Sequence, residues 1–445
     1  MSPSSSAFSR LLPPSLLVPL LLATRATALF ETGSSPAIQD PLVNPPPTTC
    51  PVLQDGITSN TFPWTHNPTC VTAVLPSTGD HGHLGVHQDF CVYTNTNFNS
   101  GRGISLVTTP EVAAELMSET YSPFFEEVAS ESSWEMKETA SKGMGLFAKR
   151  NIKAGETLIL KSPALFIARD ALDTPSRSRR RLLIETAVKQ LPEKTRELVM
   201  VLSRRGGQSE YEDIIHTNSH RAKVWDGSSH LVLVPEAARI NHACRPNAYY
   251  RFDDFTLNFD VFALRDIKPG EELTFTYGFS YQPREARLDA LENHWGFTCT
   301  CPLCTANSTV IAASDERLKK INEIKAVLPT EQKDIPQMLG LLPELIGLME
   351  EEDLIIELPM YEEIMAYTWS SFGIEDRAKY WAERAREHWA VLAGPESWEA
   401  KRTGQLENDV KGHYTWMSWE EDPWEGVGHG HPWGDDSSGK HDHDH

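Results

Sequence analysis

The chain has 445 residues, with 41 Lys plus Arg against 62 Asp plus Glu, a formal charge of −21 at pH 7. Hydrophobic residues at 40% and charged residues at 23% give the balance of a folded protein of roughly three domains, which argues against a mostly disordered chain. So acidic a composition argues against a general nucleic-acid binder, whose affinity rests on neutralising phosphates, and suits a basic partner or substrate.

Taken in chain order, residues 1–28 read as a secretory signal. Arg10 precedes an apolar stretch at 11–23, and Ala26-Thr-Ala28 has the small-residue spacing of a cleavage site. The mature chain would begin near Leu29, carry no membrane span, and act in the secretory pathway or outside the cell. Three of the seven cysteines, Cys50, Cys70 and Cys91, follow in region 29–130, which is rich in turn-formers. An oxidising compartment would pair two of them and leave one over. The region reads as loop-rich, with short strands at 90–93 and 104–107 and a short helix at 110–117.

Residues 131–280 shift to short β-rich segments with tight turns, interrupted by a polar helical insertion at 171–223. Its basic cluster, Arg177, Arg179, Arg180 and Arg181, reads as a solvated helix face rather than a binding patch. Ala148-Lys-Arg-Asn-Ile-Lys-Ala-Gly-Glu156 echoes in Ala263-Leu-Arg-Asp-Ile-Lys-Pro-Gly-Glu271. This predicts two similar strand–turn–strand units, too short for a repeat architecture. Region 281–310 holds the second cysteine group. Region 311–411 reads as paired helices; near its end Ala378, Trp381, Ala382, Ala385, Trp389 and Leu392 recur at helical spacing, as a core stripe. Region 412–445 reads as a disordered tail rich in His, Asp and Trp, whose His-Asp tract could bind metal loosely.

Four motifs carry chemistry. Gly143-Met-Gly145-Leu-Phe-Ala148 lets backbone amides approach a ligand closely, yet no helix pattern follows it, so it is not a dinucleotide fingerprint. Arg239-Ile-Asn241-His242-Ala-Cys244-Arg-Pro246-Asn247 is either a buried polar network or a ligand site. Gly270-Glu-Glu-Leu-Thr-Phe-Thr-Tyr277 is a strand ending in a tyrosine. Cys299-Thr-Cys301-Pro-Leu-Cys304 has metal spacing but lacks a fourth ligand, for which Cys244 is the obvious donor. A disulfide within this group is the competing reading.

In this order the motifs resemble a SET domain with a post-SET zinc cluster, over roughly 135–306, nearest to the SET-and-MYND subgroup and its fungal relatives. The MYND finger is missing, since 165–235 contains no Cys. The resemblance implies an α+β fold: short sheets with a helical insertion, a post-SET zinc site, and a tetratricopeptide-like helical C-terminal region. It implies transfer of a methyl group from S-adenosylmethionine to a lysine of a protein substrate. The chain would act as a monomer and bind no nucleic acid. Lys142, Gly143, Met144, Gly145 and Leu146 would hold the cofactor through backbone contacts, with Asn218, Asn241, His242, Tyr277 and Phe297 completing its site. Tyr277 would be the active-site tyrosine, Phe275 and Trp295 would line the substrate channel, and Cys244, Cys299, Cys301 and Cys304 would bind zinc. Two positions depart from the family. Trp295 stands where a Tyr is frequent, and His220 where the nearer relatives place an aromatic after Asn-Ser. The alternatives are an exported, catalytically silent SET-fold binding module, and a nuclear or cytoplasmic enzyme like most of the family.

Overall fold

The computed structural model describes residues 64–75, 86–116 and 133–418, apart from 175, 207–208, 225 and 329–334. The leader expected at 1–28, Cys50 and the tail beyond 418 lie outside these residues. Two compact units divide the chain. One runs to Gly278 and includes Leu288–Cys301; the other holds Phe279–Arg287 and the residues from Pro302 on. The fold is α+β. No described helix is long and apolar enough to cross a membrane.

The first unit begins with β1 (Thr69–Leu75), β2 (Val86–Asn95), β3 (Ile104–Thr108) and α1 (Pro110–Leu116). Then come β4 (Trp134–Glu138), β5 (Met144–Ala148), β6 (Thr157–Lys161) and β7 (Leu165–Ala168). The insertion is α2 (Arg177–Gln190), α3 (Glu193–Met200) and α4 (Glu210–Asn218). After it follow β8 (His220–Lys223), β9 (Ser229–Leu233), β10 (Asn241–His242), β11 (Ala248–Asp253), β12 (Asn258–Ala263) and β13 (Thr274–Phe275).

The main sheet has the order β1-β2-β3-β7-β9-β8. Along β2 the side chains alternate, as the two-residue period of a strand requires. Phe90 and Val92 face one way, joining Val71, Val107, Leu165 and Ile167 beneath Leu183, Ile184, Ala187 and Val188 of α2. Cys91 and Tyr93 face the other way, into a core with Phe166, Val232, Leu146, Val261 and Phe275. Residues 64–116, expected to be loop-rich, therefore supply three of the six strands. Polar residues that pair inside the sheet mask the alternation in the sequence: Thr72 donates to Asp89 Oδ1 (2.6 Å), and the Thr94 and Ser105 hydroxyls bond at 2.6 Å. Cys70 and Cys91, opposite each other across β1 and β2, form a buried disulfide.

The echoed segments pair with each other. Ile152 and Ile267 form an antiparallel bridge, Ala148 N–H donates to Glu271 O (2.9 Å), and Ala263 N–H donates to Glu156 O (3.0 Å). Each copy turns at a glycine of positive φ, Gly155 at +78° and Gly270 at +85°. Each also turns its final Glu back onto its own lysine amide, Glu156 onto Lys153 and Glu271 onto Lys268. The two segments thus form a local pseudo-twofold clasp, which brings the end of β5 beside the approach to β13.

In the insertion, 220–223 is strand rather than helix. The basic cluster is engaged by neighbours: Arg179 donates to Thr72 O, Arg180 to Glu212 and Thr174 O, and Arg181 to Glu185.

Helix α5 (Arg284–Trp295) leads to the cysteine segment. The second unit is helical: α6 (Ser308–Val327), α7 (Ile335–Glu351), α8 (Leu358–Ser371), α9 (Glu375–Leu392) and α10 (Trp398–Asn408). Asn307 caps α6 by accepting from Val310 N–H (3.0 Å). Ala378 and Ala382 of α9 are buried, with Trp381 and Trp389 packed against the same core. Helix α8 buries two carboxylates completely, Glu362 and Glu363. Glu362 accepts from Arg384 (2.9 Å) and contacts His388 Nδ1 (2.7 Å); Glu363 accepts from Arg402 Nη2 (2.8 Å) and Trp389 Nε1 (2.9 Å).

Candidate active site

Strand β10 pairs in parallel with β13, Asn241 beside Thr274 and His242 beside Phe275. A two-residue ladder holds little by itself; side chains lock it. Asn247 Oδ1 accepts from Thr274 N–H (2.8 Å), and Asn247 Nδ2 donates to Glu272 O (2.9 Å).

Glu272 organises the polar edge of the site. Its carboxylate accepts from Lys142 Nζ (2.7 Å) and from Asn241 Nδ2 (2.9 Å), and the same Asn241 amide reaches Met144 O (3.2 Å). This approach needs a glycine at 145, because a Cβ there would lie 2.9 Å from both Asn241 Nδ2 and Glu272 Oε1. At Gly143, with φ at +71°, an added Cβ would meet nothing within 4 Å, so the turn is open on that side. Lys142, Gly143, Met144 and Gly145 thus lie together beside Asn241. Leu146 differs: its side chain is buried in the core and its carbonyl is taken by Leu273 N–H.

His242 is buried, and its ring is fixed from both sides. Nδ1 accepts from Tyr277 N–H (3.1 Å), which leaves the ring hydrogen on Nε2, 3.4 Å from Cys244 Sγ. Around it stand three aromatic rings. Tyr277 lies 5.2 Å and Phe297 6.0 Å from the His242 ring, and Trp295 lies 5.4 Å from Tyr277. The Tyr277 hydroxyl donates to Ile240 O (3.0 Å). Desolvation, with the Glu272 carboxylate adding to it, raises the hydroxyl well above the ordinary tyrosine range, so it stays protonated at neutral pH. Phe275 turns toward a second aromatic group, His220, Tyr250 and Phe259.

Cys244, Cys299, Cys301 and Cys304 are buried, free of disulfides, and hold their sulfurs within 4.8 Å of one another. Cys244 Sγ and Cys299 Sγ are 3.9 Å apart. A tetrahedral zinc with bonds of about 2.3 Å has sulfur–sulfur edges of roughly 3.8 Å, so this donor set fits the ion, and the competing disulfide reading falls. Four thiolates on a Zn²⁺ would leave a net negative site. Arg287, 1% exposed, aims Nη2 at Cys304 Sγ (3.9 Å) and would offset part of that charge.

Asn218 is not gathered with this group by its described bonds. It sits at the end of α4 and donates to Ser203 O (2.8 Å) and Ile214 O (2.7 Å). Two contributors escaped sequence reasoning as site residues, although both stand inside quoted motifs: Glu272, the acceptor for Lys142 and Asn241, and Asn247, the lock between β10 and β13.

Residues 143–278 match the family model of the SET domain. Similar curated proteins include the N-lysine methyltransferase SMYD2-A of Danio rerio, 29% identical over 143 residues (32% of this chain, 28% of that protein). The histone-lysine N-methyltransferase set5 of Schizosaccharomyces pombe is 24% identical over 185 residues (42% and 52%). The N-lysine methyltransferase SMYD2 of Homo sapiens is 40% identical over 79 residues (17% and 18%). The chain spans about half or less of the length of these relatives. It carries a SET domain and has lysine methyltransferases of the SET-and-MYND and Set5 kinds among its homologues.

Proposed function

We propose that this SET-domain chain transfers a methyl group from S-adenosylmethionine to a lysine side chain of a protein, with Tyr277 at the reacting amine. The observation that carries the reading is the convergence of the Lys142–Gly145 turn, Asn241-His242 and Tyr277, through the Glu272 carboxylate and the His242 ring.

S-adenosylmethionine, when bound, supplies the electrophilic methyl group. The chain's own residues align and desolvate the partners, which is most of what an in-line displacement needs. The open backbone at Gly143, the Asn241 amide, and the faces of His242 and Phe297 suit a ligand that carries an amino acid and a nucleoside. Phe275, Trp295 and Tyr277 make an apolar channel in which a lysine, of reference pKa about 10.4, is disfavoured as ammonium. The protonated Tyr277 hydroxyl, close enough to bond Ile240 O, can orient the amine by hydrogen bonding. Cys244 Sγ touches His242 Nε2, so zinc at the four cysteines would hold the imidazole that contacts Tyr277. The charge of −21 favours a Lys-rich substrate.

Tyr277→Phe tests this reading. Turnover on a lysine peptide should fall by about two orders of magnitude, with cofactor binding by calorimetry kept within a few-fold. Unchanged turnover, or a wild-type chain that binds no S-adenosylmethionine, would overturn it.

Export is part of the proposal. A leader at 1–28 fits with the buried Cys70–Cys91 disulfide, a bond favoured in oxidising compartments. Residues 1–28 fused to a reporter should direct it into the medium; a reporter retained in the cytosol removes the claim.

A further inference from the structure

We propose that His220 Nδ1 accepts a hydrogen bond from the nitrogen of the methyl-accepting side chain, and so biases the site toward amines that still carry N–H. The inference rests on the methyl-transfer reading above and deepens it.

His220 opens β8, where its backbone pairs with Val232 of β9. Its ring stands among three aromatic rings: Tyr250 and Phe259 at 4.9 Å, and Phe275 at 5.4 Å. It is nearly perpendicular to Tyr250 and Phe275, at 76° and 82°. Phe275 is the residue that pairs with His242 across β10 and β13, so this imidazole lies alongside the proposed channel.

The ring's Nδ1 is buried and has no hydrogen-bond partner. Buried polar atoms are nearly always paired, so an orphan asks for a cause. A buried histidine of the same sheet shows the contrast. His230, on the neighbouring β9, meets Thr108 Oγ1 through Nε2 (3.0 Å) and Ser228 Oγ through Nδ1 (3.4 Å). Two histidines on adjacent strands thus differ, one satisfied by protein and one with its buried Nδ1 left without a partner.

Desolvation pulls the His220 pKa down to about 4, so the ring is neutral at physiological pH. With its hydrogen on Nε2, a neutral imidazole offers Nδ1 as an acceptor. An amine, an ammonium or a monomethylated ammonium has N–H to give it; a trimethylammonium has none. The aromatic rings around it attract a cation in either form. The discrimination therefore belongs to the imidazole nitrogen.

The test uses the full chain loaded with S-adenosylhomocysteine, and two probes of equal charge, n-butylammonium and n-butyltrimethylammonium. The ratio of their dissociation constants should shift roughly three- to tenfold against n-butylammonium in His220→Phe, the worth of one hydrogen bond. In the wild-type chain the ¹⁵N signal of His220 Nδ1 should move on saturation with n-butylammonium and stay in place with the trimethyl probe. An unchanged ratio together with an unmoved Nδ1 signal overturns the inference. The ¹⁵N measurement needs no substitution, so a variant that folds poorly does not blunt the test. Binding of S-adenosylhomocysteine is measured separately. Its failure would fell the methyl-transfer reading and this inference with it; its success with an unchanged ratio and an unmoved Nδ1 signal would fell this inference alone.

Discussion

The two units bury polar chemistry in opposite ways. The helical unit buries formal charges and closes them among themselves: Glu362 with Arg384 and His388, Glu363 with Arg402 and Trp389, Glu352 with Arg317 and Ser314. The β-rich unit keeps the Lys142–Glu272 ion pair part-exposed at the site's edge and, besides Asp260 paired with Arg251, buries soft or neutral groups, the thiols of Cys244, Cys299 and Cys301, the ring of His242 and the Nδ1 of His220. A closed charge pair holds a shape. A thiol cluster or an unpaired imidazole invites something from outside the chain. The contrast separates polar groups that support the fold from those that await a ligand, and it can be broken by experiment.

The largest expected effect lies with the thiols. Cys244→Ser should release zinc, and structural zinc contributes on the order of 10 kcal/mol of apparent binding free energy at such sites. Metal analysis of the purified variant should show zinc lost, and limited proteolysis should cut near 295–306. A variant with full zinc content would mean that the cluster does not await a metal. Next is the helical unit. Arg402→Met leaves Glu363, with none of its side chain exposed, facing Trp389 without its cation. Removing one member of a buried pair costs about 3–5 kcal/mol. Denaturant unfolding should show that loss, and Glu363→Gln added to Arg402→Met should restore much of it. A loss below about 1 kcal/mol would mean that the pair is not closed in solution.

What was legible in the sequence was local. Cys299, Cys301 and Cys304 sit within six residues and need a fourth donor, so coordination chemistry itself pointed to Cys244, and the four sulfurs do converge. Asn241, His242 and Tyr277 also read from short motifs, and the echoed turns were visible as near-identical strings. What was hidden depends on partners far along the chain. β3 pairs with β7 some sixty residues later, so nothing near 104–108 told that it would enter the main sheet. Glu272 looked like one acid of a Gly-Glu-Glu turn until Lys142 and Asn241 came to it from more than a hundred and more than thirty residues away. His220 stood out only as a departure from relatives; its unpaired nitrogen is a property of packing. Asn218, read from a motif, donates its amide to carbonyls of its own insertion, partners no local string announced.

The smallest expected effect sharpens the same contrast through acid. Three histidines, half-buried His220 and buried His230 in the β-rich unit and half-buried His413 in the helical unit, have pKa values lowered to about 4, with desolvation as the main cause. In the unfolded chain each ring takes a proton below about 6.5. Between about pH 6.5 and 4 the unfolded state therefore binds more protons than the native state, so stability rises with pH across that window and is lost as pH falls through it. His220 has no compensating partner on Nδ1, whereas His413 Nδ1 bonds Thr415 Oγ1 (2.8 Å) and its ring stacks on Tyr367. For His220 the loss by pH 4 is about 3 kcal/mol at most; for the less enclosed His413 it is smaller. Carboxylates titrate in the same range, so the informative quantity is the difference from wild type. Urea unfolding at pH 7, 5.5 and 4.5 should show His220→Phe flattening the acid slope more than His413→Phe does. Equal slopes in both variants would mean that the imidazole beside Phe275 is no more isolated than the one stacked on Tyr367.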